Sequence, residues 1–182
     1  MRWASHPHAP RYLFALGFAE ASFFIVPPDA MLAPMALARP EKARRYALLT
    51  TVASTLGGAF GYLIGHFAFD LIEPLIRHAG YWDAYREARR WFAAWGFWAI
   101  FLAGFSPIPY KVFTIAAGVV GMTFVPFLVA SFIGRGGRFF LVAALMAWGG
   151  EPMERKLRQY IDRIGWITVA LAVVAYAVYK MG

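Results

Sequence analysis

The chain has 182 residues, of which 60% are hydrophobic and 15% charged, so apolar side chains outnumber charged ones four to one. Soluble globular proteins contain about 45–50% apolar and about 25% charged residues, so this composition excludes a soluble enzyme, a coiled coil and a disordered chain. It predicts an all-α integral membrane protein. At about 20 residues per crossing, there is room for at most about six crossings, and we expect a single membrane domain over residues 1–182.

The chain carries 18 Lys and Arg residues against 10 Asp and Glu residues, a formal net charge of +8. These cations form short clusters between apolar runs, which is typical of orientation signals and anionic-headgroup contacts rather than of nucleic-acid binding. The absence of cysteine excludes disulfides, thiolate metal sites and cysteine nucleophiles. Among the four histidines only His6 and His8, in a terminal segment expected to face solvent, share an element. We therefore expect membrane lipids as partners, and no nucleic acid, metal or cofactor.

The first apolar stretch, Leu13–Ala38, is long enough to span a bilayer but contains Glu20, Pro27, Pro28 and Asp29. Two prolines remove two backbone donors, and a carboxylate at this depth costs about 2.5–3.5 kcal/mol on insertion scales. Broken backbone of this kind survives in a membrane only where protein or a water-filled cavity surrounds it. The stretch therefore predicts a re-entrant helical hairpin with its tip at Pro27 and Pro28.

The next apolar run, Tyr46–Phe69, has 24 residues without a formal charge and predicts a transmembrane helix. Its glycines recur at spacings of three and four, so they share a helical face that another backbone can approach closely. We expect this face to pack against neighbouring helices. The glycines are Gly57, Gly58, Gly61 and Gly65.

The second half of the chain repeats this plan. Trp91–Tyr110 is uncharged, and Pro107 and Pro109 interrupt it just before Lys111, which predicts a second re-entrant hairpin. A span-length segment, Pro126–Trp148, follows and carries two cations among three glycines. These residues are Gly134, Arg135, Gly136, Gly137 and Arg138.

The spacing supports an internal repeat, because Pro28 to Gly58 and Pro107 to Gly137 are both separated by 30 positions. Interrupted apolar segments in corresponding positions of two halves favour a transporter-type inverted repeat with a site at the repeat interface. The halves cover residues 13–69 and 91–148.

The remaining segments complete about three transmembrane helices. The connectors Ile76–Trp91 and Glu151–Arg163 mix cations with aromatic and aliphatic residues, and we expect both to form helices along the headgroups. Residues 164–180 predict the last span. Residues 1–10 lack the apolar core and cleavage site of a signal peptide, so we expect the chain to keep them. Ten cations on one side against five on the other favour a cytoplasmic N-terminus.

Several of these segments carry a family likeness. Glu20 followed by Pro27-Pro28-Asp29, the glycine-rich span, and the run Gly104-Phe105-Ser106-Pro107-Ile108-Pro109-Tyr110-Lys111 leading into Ala116-Ala117-Gly118 resemble the DedA family, also called the SNARE-associated or VTT-domain family. Within it the chain is most similar to the short YqaA-type branch. The resemblance implies two re-entrant hairpins and translocation of polyprenyl phosphate carriers or phospholipids. The chain departs from the commoner pattern, in which an arginine follows the glycine that is Gly104 here.

Four charges in the apolar segments are the candidate site residues. Arg135 and Arg138 lie three positions apart on one helical face, where an anion must offset their charge. That anion is either Glu20 or Asp29, as a structural ion pair, or a substrate phosphate, whose oxygens suit the planar guanidinium. Glu20 and Asp29 suit a proton relay or gate, although Asp29 also suits a turn or helix cap.

Lys111 is the third cation near a proline turn. It either joins the two arginines in binding phosphate or extends its ammonium group to the membrane surface.

Two functions stay open at this stage. The first is a bacterial inner-membrane transporter of a lipid phosphate, without covalent chemistry. The second is a structural or assembly membrane protein whose buried charges only lock helices together. A hydrolase is not expected, because Gly104-Phe105-Ser106-Pro107 resembles a membrane serine-protease motif but no histidine follows it to act as the base. A homo-oligomer also stays open.

Overall fold

The computed structural model of the protein describes residues 8–22, 26–106 and 110–149. Every regular element within these ranges is helical. The predicted connector Glu151–Arg163 and the predicted last span, residues 164–180, lie outside the described residues, as do Pro107 and Pro109. In chain order the elements are α1 (Ala9–Ser22), α2 (Asp29–Ala38), a 3₁₀ turn (Pro40–Lys42), α3 (Ala43–His78), α4 (Trp82–Phe105), α5 (Tyr110–Val119) and α6 (Phe124–Gly149).

Two of these helices are long and apolar enough to cross a bilayer. They are α3, counted with the preceding 3₁₀ turn, and α6, and they contain the predicted spans Tyr46–Phe69 and Pro126–Trp148. The uncharged length of each span accounts for this, since a helix that spans the bilayer core needs about 20 apolar residues.

The helix breaks fall at the two proline turns. α1 ends at Ser22 and α2 begins at Asp29, and the carbonyl groups of Pro27 and Pro28 accept the N–H groups that open α2, at distances of 2.8–3.1 Å. Proline is tolerated there because the first helical N–H groups have no intrahelical partner. Likewise α4 ends at Phe105 and α5 begins at Tyr110.

Glycines bring the α3 backbone against α1 and α5. A Cβ atom added to Gly57 would collide with the carbonyl oxygen of Phe18 in α1, and one added to Gly65 would collide with that of Ile115 in α5. At Gly61 it would lie 2.5 Å from Thr114 Oγ1, and at Gly58 it would lie 3.3 Å from Tyr110. Helices in lipid associate through such close backbone contact, because water is not there to drive apolar side chains together.

Two apolar clusters form the core, one toward each end of the helices. The first cluster joins α1, α2, the start of α3 and the second half of α6, and its largest members are Leu13, Leu32, Met35, Tyr46, Phe139 and Met146. The second cluster joins α3, α4, α5 and the first half of α6, and its largest members are Tyr62, Ile100, Tyr110, Met122 and Phe127. On α6 the two clusters leave an interval between Ala130 and Phe139, and both arginines lie in it.

The expectation of a separate headgroup helix over Ile76–Trp91 is wrong. α3 continues to His78, a turn follows, and α4 begins at Trp82. Gly80 has φ +75°, a left-handed conformation that ends the first helix and that other residues rarely adopt. The cations and aromatic residues of this segment therefore lie at the turn between α3 and α4 and in the helical turns next to it.

Candidate functional site

Arg135 of α6 is buried, and its side chain contacts three other helices, α1, α3 and α5. Its Nη2 donates to Glu20 Oε2 of α1, and its Nε donates to Ser54 Oγ of α3 at 2.7 Å. Its guanidinium carbon lies 5.0 Å from the ring centre of Tyr110 on α5 and 4.7 Å from that of Phe139 on α6. Only 2% of the Arg135 side chain is exposed. An ion pair, a hydroxyl group and two aromatic faces thus offset the cost of burying this charge.

Arg138 lies one helical turn further along α6 and joins the two helix breaks. Its Nη2 donates to Asp29 Oδ2, and its Nη1 donates to the carbonyl oxygen of Ser106. Asp29 is the first residue of α2, and Ser106 directly follows α4. The carboxylate of Asp29 also lies at the positive end of the α2 dipole, and the carbonyl group of Ser106 lies at the negative end of the α4 dipole. One guanidinium therefore binds both the carboxylate at the start of α2 and the carbonyl group just after the end of α4.

Ion pairs between the carboxylates and the arginines, one of the alternatives that the sequence left open, are present, and the two pairs differ in their surroundings. Glu20 pairs with Arg135, and Asp29 pairs with Arg138. The Arg138 side chain is 11% exposed, against the 2% of Arg135. Within the described part of the chain, Asp29 Oδ1 is buried without a hydrogen-bond partner. Asp29 thus keeps an unused acceptor oxygen, which could take a proton or a hydrogen bond from an incoming donor.

The four charges lie near the middle of the two apolar helices. Ser54, which holds Arg135, is within about 5 Å of the centre of the uncharged run Tyr46–Phe69 at about 1.5 Å per residue. Arg135 and Arg138 lie on either side of the midpoint of α6. In a bilayer crossed by both helices, the ion pairs therefore lie at mid-depth, where unpaired charge is most costly.

Glycines on α4 and α6 let these two helices approach each other closely beside Arg135. A Cβ atom added to Gly134 would lie 2.5 Å from the carbonyl oxygen of Phe101, and one added to Gly104 would lie 3.2 Å from the backbone nitrogen of Arg135. At Gly136 it would lie 3.3 Å from a Thr51 methyl group, whereas at Gly137 it would meet Phe105 at an ordinary 3.6 Å. The lack of a side chain at Gly134 and Gly104 thus allows the close packing of α4 and α6 that places Arg135 beside the end of α4.

Some site residues were not expected from the sequence. Ser54 and Tyr110 contact Arg135, and Tyr110 also donates a hydrogen bond to Ser131 Oγ on α6. The spacing of Ser54 could have predicted its place in the site. It lies three, four and seven positions before Gly57, Gly58 and Gly61, and residues at these spacings share a helical face. Lys111, which the sequence predicted as a phosphate-binding candidate, lies in the first turn of α5, next to Tyr110.

Comparison with known proteins now decides the family. Residues 26–148 match the VTT domain, and this range contains the prolines of both helix breaks and three of the four site charges. The chain belongs to the VTT-domain family, also called the DedA family. It is therefore a membrane protein, in agreement with its apolar spans.

Three relatives of this VTT-domain protein cover nearly its whole length. An uncharacterized protein of Haemophilus influenzae is 48% identical over 99% of this chain and 94% of its own, and one of Histophilus somni is 49% identical with the same coverage. Undecaprenyl phosphate transporter A of Staphylococcus aureus is 29% identical over 93% of this chain and 89% of its own. No solved structure matches the chain.

Phe105, where the commoner family pattern has arginine, borders the site without contributing charge. It is the last residue of α4 and is half-exposed, and it directly precedes Ser106, whose carbonyl group binds Arg138. In this VTT-domain protein the cation at the end of α4 is thus Arg138, which reaches it from α6.

Proposed function

We propose that this protein transports a lipid phosphate, either a polyprenyl phosphate carrier or a phospholipid, across the bacterial inner membrane as a multi-pass protein. In this proposal α1–α2 and α4–α5 are re-entrant hairpins that meet at mid-depth. The observation that carries it is the contact of Arg138 with both helix breaks, since a phosphate bound to Arg138 would act on both hairpins at once. The name of the Staphylococcus aureus relative supports the class of substrate.

The two arginines have different roles in this mechanism. Arg138 binds the phosphate, because it is the more exposed of the two arginines and an incoming phosphate can replace the carboxylate of Asp29 as acceptor. Arg135 contributes positive charge nearby and holds α1 and α3 beside α6 through Glu20 and Ser54, while its guanidinium lies against Tyr110 of α5. Lys111, in the first turn of α5, adds a further cation for the phosphate.

Charge balance supports proton coupling. Two arginines and two carboxylates carry no net formal charge, and Lys111 adds one positive charge. A phosphate monoester with close to two negative charges therefore still brings uncompensated negative charge into this low-dielectric layer. A proton on Asp29 removes one negative charge and releases Arg138 to the phosphate at the same time. Asp29, with Glu20 behind it, therefore acts as the gate.

Reconstitution into liposomes tests the proposal. Translocation of a labelled lipid phosphate is measured for wild type, Arg138→Lys and a surface control, Arg90→Lys, whose exposed arginine pairs with Glu87 at 2.8 Å. An ammonium group cannot bind Asp29 and Ser106 with the planar fork of a guanidinium, so we expect Arg138→Lys to lose transport and the control to keep it. Equal transport by all three proteins would contradict the proposed site.

One observation favours the structural alternative, namely that Arg135 is almost fully buried and already bonded to Glu20 and Ser54. On that alternative wild type transports neither polyprenyl phosphates nor phospholipids, and the loss of Arg135 lowers the yield of folded protein. On the transport proposal, wild-type liposomes move at least one of these lipids.

A further inference from the structure

A cavity lies between α1 and α3, away from the buried ion pairs. Its volume is about 430 Å³, and its lining is Pro10, Arg11, Phe14, Arg45 and Leu49. Two guanidinium groups thus share a cavity with two large apolar side chains. A volume of this order is typical of small-molecule sites, which range over about 300–1,000 Å³.

The two arginines have bonding capacity to spare. Both side chains are exposed, and neither forms an ion pair with any residue in the described part of the chain. Arg45 also belongs to a basic segment with Arg39, Lys42 and Arg44, which raises the local positive potential. Phosphate oxygens match paired guanidinium groups, which bind them through charge-assisted hydrogen bonds.

The position of the cavity along α3 matches the membrane surface. Arg45 lies nine residues before Ser54, a distance of about 13 Å along the helix axis. Half of the bilayer core is about 15 Å thick. With Ser54 near mid-depth, Arg11 and Arg45 lie at headgroup level, and Phe14 and Leu49, one turn further along their helices, face the start of the acyl region.

We propose that this cavity is a binding site for the phosphate of an anionic membrane lipid in the leaflet next to the start of α3. Arg11 and Arg45 bind the phosphate, and Phe14 and Leu49 contact the first methylene groups of the chain. The apolar half of the lining favours a lipid over a free phosphate ion. The site does not depend on the transport proposed above, because it requires only equilibrium binding at the membrane surface.

Native mass spectrometry of the full chain in detergent tests this site. Phosphatidylglycerol and phosphatidylcholine of equal chain length are titrated against wild type, the double variant Arg11→Gln/Arg45→Gln, and the control Lys42→Gln/Arg44→Gln. Both double variants lose the same charge in the same region, but only the first loses residues that line the cavity. Inorganic phosphate is added as a competitor, and Phe14→Ala tests the apolar half.

We expect the apparent affinity for phosphatidylglycerol to fall about tenfold or more in the cavity variant, and about twofold or less in the control. Phe14→Ala should also weaken the binding of phosphatidylglycerol, and inorganic phosphate should not displace this lipid. Equal losses in the two double variants would overturn the site in favour of diffuse charge attraction. Displacement by inorganic phosphate with no effect of Phe14→Ala would overturn it in favour of a simple anion site.

Discussion

Arg138 and Asp29 stand 109 positions apart in the sequence, and their side chains form an ion pair at the start of α2. The same guanidinium donates to the carbonyl oxygen of Ser106, just beyond the end of α4. One side chain therefore connects the two interrupted helices. On the proposed mechanism, a phosphate that takes the place of Asp29 would act on both breaks through this one side chain.

The first prediction concerns the ion pair between Arg138 and Asp29. Arg138→Lys should lower the transport of a labelled lipid phosphate at least about tenfold, because charge-assisted hydrogen bonds to a guanidinium contribute about 1.5–3 kcal/mol. Arg90→Lys, at an exposed pair, should leave transport unchanged. Transport is measured in liposomes that contain equal amounts of folded protein. Full activity of Arg138→Lys would remove Arg138 from the mechanism.

The second prediction separates stability from function at Arg135. Arg135→Met should lower the free energy of unfolding by about 3–5 kcal/mol, because Glu20 is left buried without its partner. The double variant Glu20→Leu/Arg135→Met should recover most of that loss, because it removes both charges. Thermal unfolding in detergent measures both variants, and Arg90→Gln, at an exposed pair, should cost about 1 kcal/mol or less.

Transport completes this comparison. The stable double variant should be inactive if Arg135 supplies positive charge to the site. Normal transport by the double variant would reduce Arg135 to a packing residue.

The third prediction concerns glycine packing. Gly57→Ala should destabilise the protein by about 1–3 kcal/mol, because the added methyl group collides with the Phe18 carbonyl oxygen. Gly137→Ala is the matched control, since its methyl group meets Phe105 at 3.6 Å and alanine favours the helix by about 1 kcal/mol. Unfolding temperatures in one detergent should therefore move in opposite directions. A drop of equal size in both variants would show that the contact at Gly57 is not decisive.

The fourth prediction concerns the carboxylate of Asp29. Asp29→Asn nearly keeps the size of the side chain but removes the negative charge that competes with a phosphate for Arg138. We therefore expect Asp29→Asn to bind a labelled lipid phosphate more tightly than wild type does. Equilibrium binding in detergent measures both proteins, and equal affinities would exclude Asp29 as the group that gates access to Arg138.

The sequence by itself determined the class of protein and the central parts of its two span-length apolar helices. Composition required a lipid-facing surface, and the uncharged runs predicted α3 and α6, because both properties depend only on residues close together in the chain. Proline at positions 27 and 28 marks the start of α2 for the same local reason, whereas the continuation of α3 to His78 was not predicted. The sequence also required Glu20, Asp29, Arg135 and Arg138 to find partners, because unpaired charge is too costly at that depth.

Tertiary structure alone decided which groups meet. The choice of Glu20 for Arg135 and Asp29 for Arg138 depends on the rotation of α1 and α2 relative to α6, which no local pattern contains. The same applies to Ser54 and to the carbonyl group of Ser106, because neither is charged and each becomes a ligand only through its position beside a guanidinium. Local periodicity therefore predicts the faces of helices, and only their packing against one another decides the site.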